Sequence, residues 1–152
     1  MHLYIALSSL DRHTAYHWAL IPSESVPTGT VNLYQILNSD DVWKLGHDRL
    51  RLSEVTAFIG CVCLSTSITE RTEQIDAFIR EFPAEQGRSI TEGGAEWSCA
   101  HWIMRCLESL VEAEIMELDM KELYKTVMAR GAQLEAGKGQ ISVTDGVPII
   151  DL

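Results

Sequence analysis

The sequence lacks any long hydrophobic run, which bears on whether the protein enters a membrane. No apolar stretch approaches the roughly 18 residues that a membrane-spanning helix needs. The apolar start, residues 1–7, is short and carries no basic segment, so it favours a strand over a signal peptide. We therefore expect a cytoplasmic protein without a membrane span.

Cysteine is scarce, and its spacing argues against two common kinds of site. The four cysteines are Cys61, Cys63, Cys99 and Cys106. They include no C-x-x-C pair, which argues against a zinc site. A chain of 152 residues can bury a core without disulfides, so four reduced thiols are expected.

Basic residues are also few. The chain has 12 Lys and Arg against 22 Asp and Glu, a formal charge of −10. Such a surface repels phosphate backbones, so nucleic acid is not an expected partner. No glycine-rich phosphate loop, His-x-x-x-His pair on a predicted helix or Gly-x-Ser-x-Gly elbow is present. We therefore expect a small-molecule substrate and neither a metal nor an organic cofactor.

Strand-like segments occupy the first part of the chain. Short apolar runs at residues 2–8, 15–21, 30–37, 43–51 and 55–66 are separated by turn residues. Their close spacing predicts an antiparallel sheet of about five strands.

Helix-like segments follow the strands. Ser67 and Glu70 match a capping box, and Pro83 ends the helix that they open. Ser98 is the predicted N-cap of a second helix, and Asp119 opens a third. Strands followed by three helices packed on one face predict an α+β fold, and the length favours a single domain over residues 1–152.

The end of the chain is expected to be a loose tail over residues 131–152. Within it, residues 147–150 are read as an edge strand or a contact segment. A homodimer through this tail is one expectation, and an unstructured end is the other.

A thiol stands at the predicted start of the second helix. With Ser98 as N-cap, Cys99 takes the first helical position, where free backbone N–H groups and the helix dipole favour the thiolate. The thiolate is the nucleophilic form of cysteine. Cys99 is also in phase with the apolar stripe of this helix, so packing as a small hydrophobe is the alternative.

An imidazole interrupts the second predicted strand. His17 lies between Tyr16 and Trp18 and shares its face with Ala15 and Ala19. Two small neighbours leave room for another group to approach the ring. The alternative is a strand histidine that faces solvent.

A third polar group would hold such an imidazole in place. Gln35 and Asn32 are the candidates on the next strand, and sequence does not set which of them faces His17. Among the other histidines, His47 shows no such pattern, and His101 is expected to act locally at the helix cap. Aromatic residues are predicted to line an apolar pocket around the thiol, with plain core packing as the alternative: Trp18, Trp43, Trp97, Trp102 and Tyr34.

The two motifs together resemble a known superfamily. Residues 16–21 read Tyr-His-Trp-Ala-Leu-Ile, and residues 97–102 read Trp-Ser-Cys-Ala-His-Trp. Their order resembles the circularly permuted papain-like fold of the NlpC/P60-related, lecithin retinol acyltransferase-like enzymes. That resemblance implies that His17 is the base, Cys99 the nucleophile and Gln35 the third residue.

The chain departs from that pattern at three positions. Ser98 and Ala100 stand where the family has asparagine and glutamate, and Gln35 stands where it usually has histidine. Glutamine can hydrogen-bond to an imidazole but does not supply the charge of a carboxylate. The chain is also similar to small fungal proteins of similar length, which suggests a secondary-metabolite substrate.

These features predict a small cysteine-dependent enzyme of acyl transfer or hydrolysis, in which His17 activates Cys99 and Gln35 steadies His17. One alternative is a natural-product cyclase or isomerase that uses His17 as acid or base. The other is a non-catalytic binding module on the same fold.

Overall fold

The computed structural model describes residues 1–10, 15–64, 68–85, 96–141 and 145–152. These parts of the chain form nine strands and three α-helices, which confirms the predicted α+β class. The strands are β1 (His2–Ser9), β2 (Tyr16–Ser23), β3 (Thr30–Leu33), β4 (Ile36–Ser39), β5 (Val42–Leu45), β6 (Asp48–Arg51), β7 (Phe58–Cys63), β8 (Gln140–Ile141) and β9 (Pro148–Asp151). The helices are α1 (Thr72–Glu81), α2 (Cys99–Glu112) and α3 (Leu123–Glu135), and a 3-10 turn spans Leu52–Glu54.

Five strands form the main sheet in the order β2-β1-β7-β9-β8. β1 pairs antiparallel with β2 and with β7, whereas β9 runs parallel to β7. The central position of β1 buries both of its faces, which explains its nearly continuous apolar sequence. The sheet is therefore mostly antiparallel and of the predicted size.

The helices cover one face of this sheet, as predicted. On that face Ile5 of β1 belongs to one apolar cluster with Ile103 of α2 and Val127 of α3. The opposite face is covered by β3 and the 3-10 turn, which contribute Val31 and Leu52 to a second cluster. The core thus lies in two layers on either side of β1 and β2.

The predicted third and fourth strands are each split in two. The regular strand conformation is interrupted around Gln35, so β3 pairs with β6 while β4 pairs with β5. The Gln35 carbonyl accepts a hydrogen bond from the Gly46 N–H at 3.0 Å. Gly46 carries no side chain there, and a Cβ atom would lie 2.5 Å from Leu37. The interruption is therefore stabilised by a hydrogen bond from Gly46, and an added Cβ at residue 46 would displace the exposed Leu37 side chain.

The C-terminal segment is more ordered than the sequence suggested. Residues 131–135 complete α3, and β9 lies between β7 and β8 rather than at an edge. β9 pairs with β7 on one side, and its residues Pro148 and Ile149 pair with β8 on the other, so this segment is a strand of the sheet rather than a loose tail. A homodimer through this segment stays a prediction. Parallel pairing between distant segments leaves no local sequence signal, which explains why a tail was expected.

The three helix starts differ in how well they were predicted. Ser98 is the N-cap of α2, as expected. Ser67 lies outside the described residues, and α1 begins at Thr72, after Arg71. α3 begins at Leu123, later than the Asp119 start that was predicted. None of the helices in the described parts of the chain is long and apolar enough to cross a membrane.

Replacing Gly60 by alanine is expected to destabilise the protein by about 2–3 kcal/mol, because the new Cβ overpacks the contact between β7 and β9. That Cβ would lie 2.7 Å from the Pro148 carbonyl oxygen. Gly137→Ala is the matched control: Gly137 has φ +74° with nothing within 4 Å, so only backbone strain opposes alanine there. Urea unfolding compares the two. A smaller loss for Gly60→Ala than for Gly137→Ala would contradict the close β7–β9 approach.

Candidate active site

Cys99 lies against the outer edge of β2. At that edge Leu20 exchanges two backbone hydrogen bonds with Tyr34, at 2.8 and 2.9 Å. Backbone groups alternate in direction along a strand, so the N–H of Trp18 points the same way as that of Leu20. It donates a hydrogen bond to the Cys99 sulfur. The thiol thus occupies the place where a further strand residue would have paired.

The first turn of α2 provides further hydrogen-bond contacts around the thiol. Ser98 is the N-cap, and its hydroxyl oxygen accepts from the His101 N–H at 3.4 Å. The Ala100 N–H, which has no acceptor within the helix, donates to the Cys99 sulfur. His101 stays local, with its Nδ1 at 2.8 Å from the Ser98 hydroxyl, which confirms its predicted role at the cap.

His17 joins the thiol to Gln35. The imidazole is hydrogen-bonded to the Cys99 thiol, and its Nε2 lies 2.6 Å from the Gln35 Oε1. An amide oxygen only accepts, so Nε2 carries a proton and Nδ1 is left for the thiol. The Gln35 amide nitrogen donates to the Gly46 carbonyl at 2.9 Å, which turns its oxygen toward His17.

The structure therefore brings together the three residues predicted as catalytic. Cys99, His17 and Gln35 form one hydrogen-bonded chain from α2 through β2 to the break between β3 and β4. The alternative orienting residue, Asn32, lies within β3 opposite Arg49. The register that sequence left open is thus resolved in favour of Gln35.

The pKa values of the thiol and the imidazole shift in opposite directions. Burial alone would raise the pKa of Cys99 and lower that of His17. Their mutual hydrogen bond and charge outweigh burial, so the pKa of Cys99 lies below its ordinary value and the pKa of His17 above. Both shifts favour transfer of the thiol proton to the imidazole.

The other thiols have different surroundings. All four cysteines are free and buried. Burial raises the pKa of Cys61, with a further contribution from Cys63, and burial also raises the pKa of Cys106. No imidazole acts on the pKa of either thiol, so Cys99 is better suited to nucleophilic chemistry than Cys61 or Cys106.

A cavity of about 370 Å³ opens onto Cys99 and His17. No charged side chain is found among its described lining residues. Its polar contributions beyond the thiol and the imidazole include Asn38 and Ser98. The apolar part of the wall comprises Leu10, Trp18, Ile36, Leu37, Trp43, Tyr124 and Met128, with Ala15 and Ala100.

The structure places the predicted pocket aromatics in two groups. Trp18 and Trp43 line the cavity. Trp97 and Trp102 are buried in the core, where their indole N–H groups donate to the carbonyls of Ala84 and Pro83 at 3.0 and 2.9 Å. These two tryptophans therefore follow the packing alternative.

Tyr34 also lies in the core rather than in the cavity wall, where its hydroxyl accepts from Arg80 at 3.4 Å. Tyr124 lines the cavity instead, although the sequence showed it only as part of an apolar helix stripe. It is 45% exposed and stacks on Trp18 with ring centroids 5.4 Å apart. Partial exposure of an aromatic side chain was the missing signal, and it is visible only in the fold.

A second cavity of about 270 Å³ lies on the other face of the sheet. His17 and Gln35 line it together with the small residues Ala6 and Ala19. The expected room beside the imidazole is therefore present, and His17 borders both cavities.

The chain matches no protein-family model, no curated protein and no solved structure. The resemblance to papain-like enzymes therefore stays a prediction that rests on the two motifs. Within the described ranges, no group of three or more His, Cys, Asp or Glu residues is placed to hold a metal ion.

Iodoacetamide is expected to alkylate Cys99 first in the folded protein. The lowered pKa of Cys99 keeps its thiolate populated below the free-thiol value of about 8.5, and the raised pKa of His17 keeps the imidazolium partner as pH rises. His17→Ala removes that partner, so the rate at acidic pH should fall. Peptide mass spectrometry of samples quenched across the pH range measures this. Equal labelling of all four cysteines would contradict it.

Substitutions at Gln35 are expected to move the pKa of His17 in opposite directions. Gln35→Leu removes the hydrogen-bond acceptor, so the pKa of His17 should fall. Gln35→Glu places a carboxylate at the same atom, so the pKa should rise. NMR titration of the His17 ring protons measures both. An unchanged His17 titration in Gln35→Leu would show that the amide does not stabilise the imidazolium.

Proposed function

We propose that this protein is a cysteine-dependent enzyme that transfers or hydrolyses an acyl group of a small molecule. The observation that carries the proposal is the hydrogen-bonded chain of Cys99, His17 and Gln35 at the wall of an open cavity. A nucleophile, a base and a group that orients the base are the parts such a reaction needs.

In the first step the Cys99 thiolate attacks the carbonyl carbon of the acyl donor. A carbon–sulfur bond forms, and His17 holds the proton that the thiol gave up. When the tetrahedral intermediate collapses, the bond to the leaving group breaks and His17 passes its proton to that group. The product of this step is a thioester on Cys99.

Backbone N–H groups would stabilise the charge that develops on the carbonyl oxygen. The Trp18 and Ala100 N–H groups donate to the sulfur before reaction. As negative charge moves from the sulfur to the carbonyl oxygen, these donors and the Cys99 N–H become available to that oxygen. The positive end of α2 acts in the same direction.

In the second step an acceptor attacks the thioester. His17 removes the proton of the acceptor, the carbon–sulfur bond breaks, and the sulfur leaves as thiolate. Water as acceptor gives hydrolysis, and an alcohol or amine gives acyl transfer. Neither outcome requires a cofactor.

The cavity wall supports an uncharged acyl group as the substrate part next to Cys99. A charged group would lose its hydration there without meeting an opposite charge among the described lining residues. A volume of about 370 Å³ is of the size that holds a small ligand. Four free thiols favour a reducing, cytoplasmic compartment for this chemistry.

Chromogenic p-nitrophenyl esters test the proposal. We expect p-nitrophenyl butyrate to release p-nitrophenol and to leave a butyryl group on Cys99, visible as a mass increase on that peptide. Cys99→Ala should abolish the adduct, and His17→Ala should slow acylation about 100-fold. The p-nitrophenyl half-ester of a dicarboxylic acid such as succinic acid should react more slowly than the butyrate, because the described lining residues include no Lys or Arg and the His17 imidazolium is already paired with the thiolate.

Cys63→Ala is the matched control, because Cys63 is buried on the opposite sheet face and is not among the described residues that line either cavity. It should acylate at the wild-type rate. An ester turnover that survives Cys99→Ala would contradict the thiol mechanism and favour the predicted cyclase or isomerase, in which His17 acts without the thiol. Absence of any adduct on Cys99 would favour a binding module.

A further inference from the structure

We infer that His47 is a positioning residue for the proposed nucleophile, because it holds the backbone of Gln35 where that side chain can orient His17. The inference rests on the proposed function. His47 does not line the main cavity and does not contact Cys99 in the described structure. Its hydrogen bond to Gln35 is the contact through which we expect it to act.

Both ring nitrogens of His47 are engaged. Its Nδ1 accepts the Gln35 backbone N–H at 3.2 Å, and its Nε2 lies 3.2 Å from the Arg80 carbonyl oxygen. A carbonyl only accepts, so Nε2 must carry the proton. An N–H only donates, so Nδ1 must be bare. The two contacts thus require the same neutral tautomer.

This contact replaces a missing strand partner. Gln35 lies at the break between β3 and β4, so its N–H is outside the ladder of either hairpin. A backbone N–H left unpaired in a part-buried site costs free energy. His47 satisfies it with a ring nitrogen, which lets the backbone leave the regular strand path at this residue.

Gln35 is then held at three of its four polar groups. His47 binds its backbone N–H, Gly46 binds its carbonyl at 3.0 Å, and the Gly46 carbonyl binds its side-chain nitrogen at 2.9 Å. The side-chain oxygen is left for His17 at 2.6 Å. A shift of the Gln35 backbone would therefore move the oxygen that orients the imidazole.

His47 is itself fixed by its neighbours. Its ring meets Tyr34 edge-on with centroids 5.0 Å apart and lies 6.0 Å from the ring of Trp102. Burial lowers the pKa of His47 and outweighs the hydrogen bond to the Arg80 carbonyl, which acts in the opposite direction. The charge of Arg80 adds to the effect of burial, so the net shift supports the neutral ring that the hydrogen bonds require. The contact with the Arg80 carbonyl ties this position to α1.

Two substitutions at His47 distinguish the loss of its hydrogen bond to Gln35 from the loss of its ring. His47→Leu removes the acceptor for the Gln35 N–H. His47→Asn keeps an acceptor at about the position of Nδ1, since the asparagine side chain is shorter than the ring but carries an oxygen there. The readout is the rate of iodoacetamide alkylation of Cys99 against pH, followed by peptide mass spectrometry on the whole folded protein.

We expect His47→Leu to move the alkylation profile of Cys99 to higher pH and to lower its rate near neutral pH by about threefold to tenfold. His47→Asn should restore the profile toward that of the wild type. Leu134→Val is the control for a merely structural loss: Leu134 is buried in α3 beside Gly60, so its truncation lowers stability without touching the site. Its alkylation profile should match the wild type.

The inference and the proposed function fail in different ways. A shift in His17→Ala with no shift in His47→Leu would overturn the role of His47 and leave the thiol–imidazole pair standing. A wild-type Cys99 that reacts like a free thiol, with no effect of His17→Ala, would overturn both. A shift of the Cys99 alkylation profile in Leu134→Val as large as that in His47→Leu would also overturn the role of His47.

A second measurement uses the unaltered protein, in case His47→Leu does not fold. Long-range ¹H–¹⁵N NMR spectra distinguish the two neutral tautomers of each histidine ring. We expect His47 to carry its proton on Nε2. A proton on Nδ1 of His47 would leave that atom unable to accept from Gln35, and the role of His47 would be overturned.

Discussion

The whole site depends on where strand pairing stops at the edge of β2. Leu20 and Tyr34 form one isolated β-bridge there, and the regular strand is interrupted at the next residue, Gln35. Because the neighbouring strand departs after this bridge, the outward N–H of Trp18 meets the Cys99 sulfur instead of a carbonyl. A strand that continued regularly past Tyr34 would fill the space into which α2 projects its first residue. The open edge is therefore what admits a thiol beside an imidazole.

A thiolate in a buried site must be stabilised by hydrogen-bond donors or positive charge, and the unpaired edge of β2 brings such groups to Cys99. Cys99 is only 6% exposed, so water stabilises its charge poorly. Two backbone N–H groups, the start of a helix and the imidazolium of His17 act on the same sulfur. Cys61 and Cys106 are also buried but have no imidazolium partner, and burial raises their pKa values even though a backbone hydrogen bond lowers that of Cys106. The direction of a thiol pKa shift in this protein thus depends on the hydrogen-bond donors and charges around the sulfur and not on burial alone.

Local features of the site were predictable from sequence, and features set by distant segments were not. The cap at Ser98 and the face of His17 follow from helix and strand periodicity, which extend over a few residues. The choice of Gln35 over Asn32 depends on a strand interruption at which Gly46 hydrogen-bonds to both the backbone and the side chain of Gln35. The core positions of Trp97, Trp102 and Tyr34, and the exposed position of Tyr124, depend on how helices pack against the sheet. The interior place of β9 depends on parallel pairing with β7, for which no local pattern exists.

The identity of residue 35 fits the environment that this edge creates. A thiolate and an imidazolium together carry no net charge, and a neutral amide keeps the group neutral beside a cavity whose described lining residues include no Asp, Glu, Lys or Arg. A carboxylate in the same place would add an unbalanced negative charge to a part-buried site in a chain whose formal charge is already −10. Glutamine also offers a nitrogen that donates to Gly46, which a carboxylate lacks, so the same side chain both closes the strand break and orients His17. The same residue therefore both stabilises the interruption of the strand and orients the proposed catalytic base.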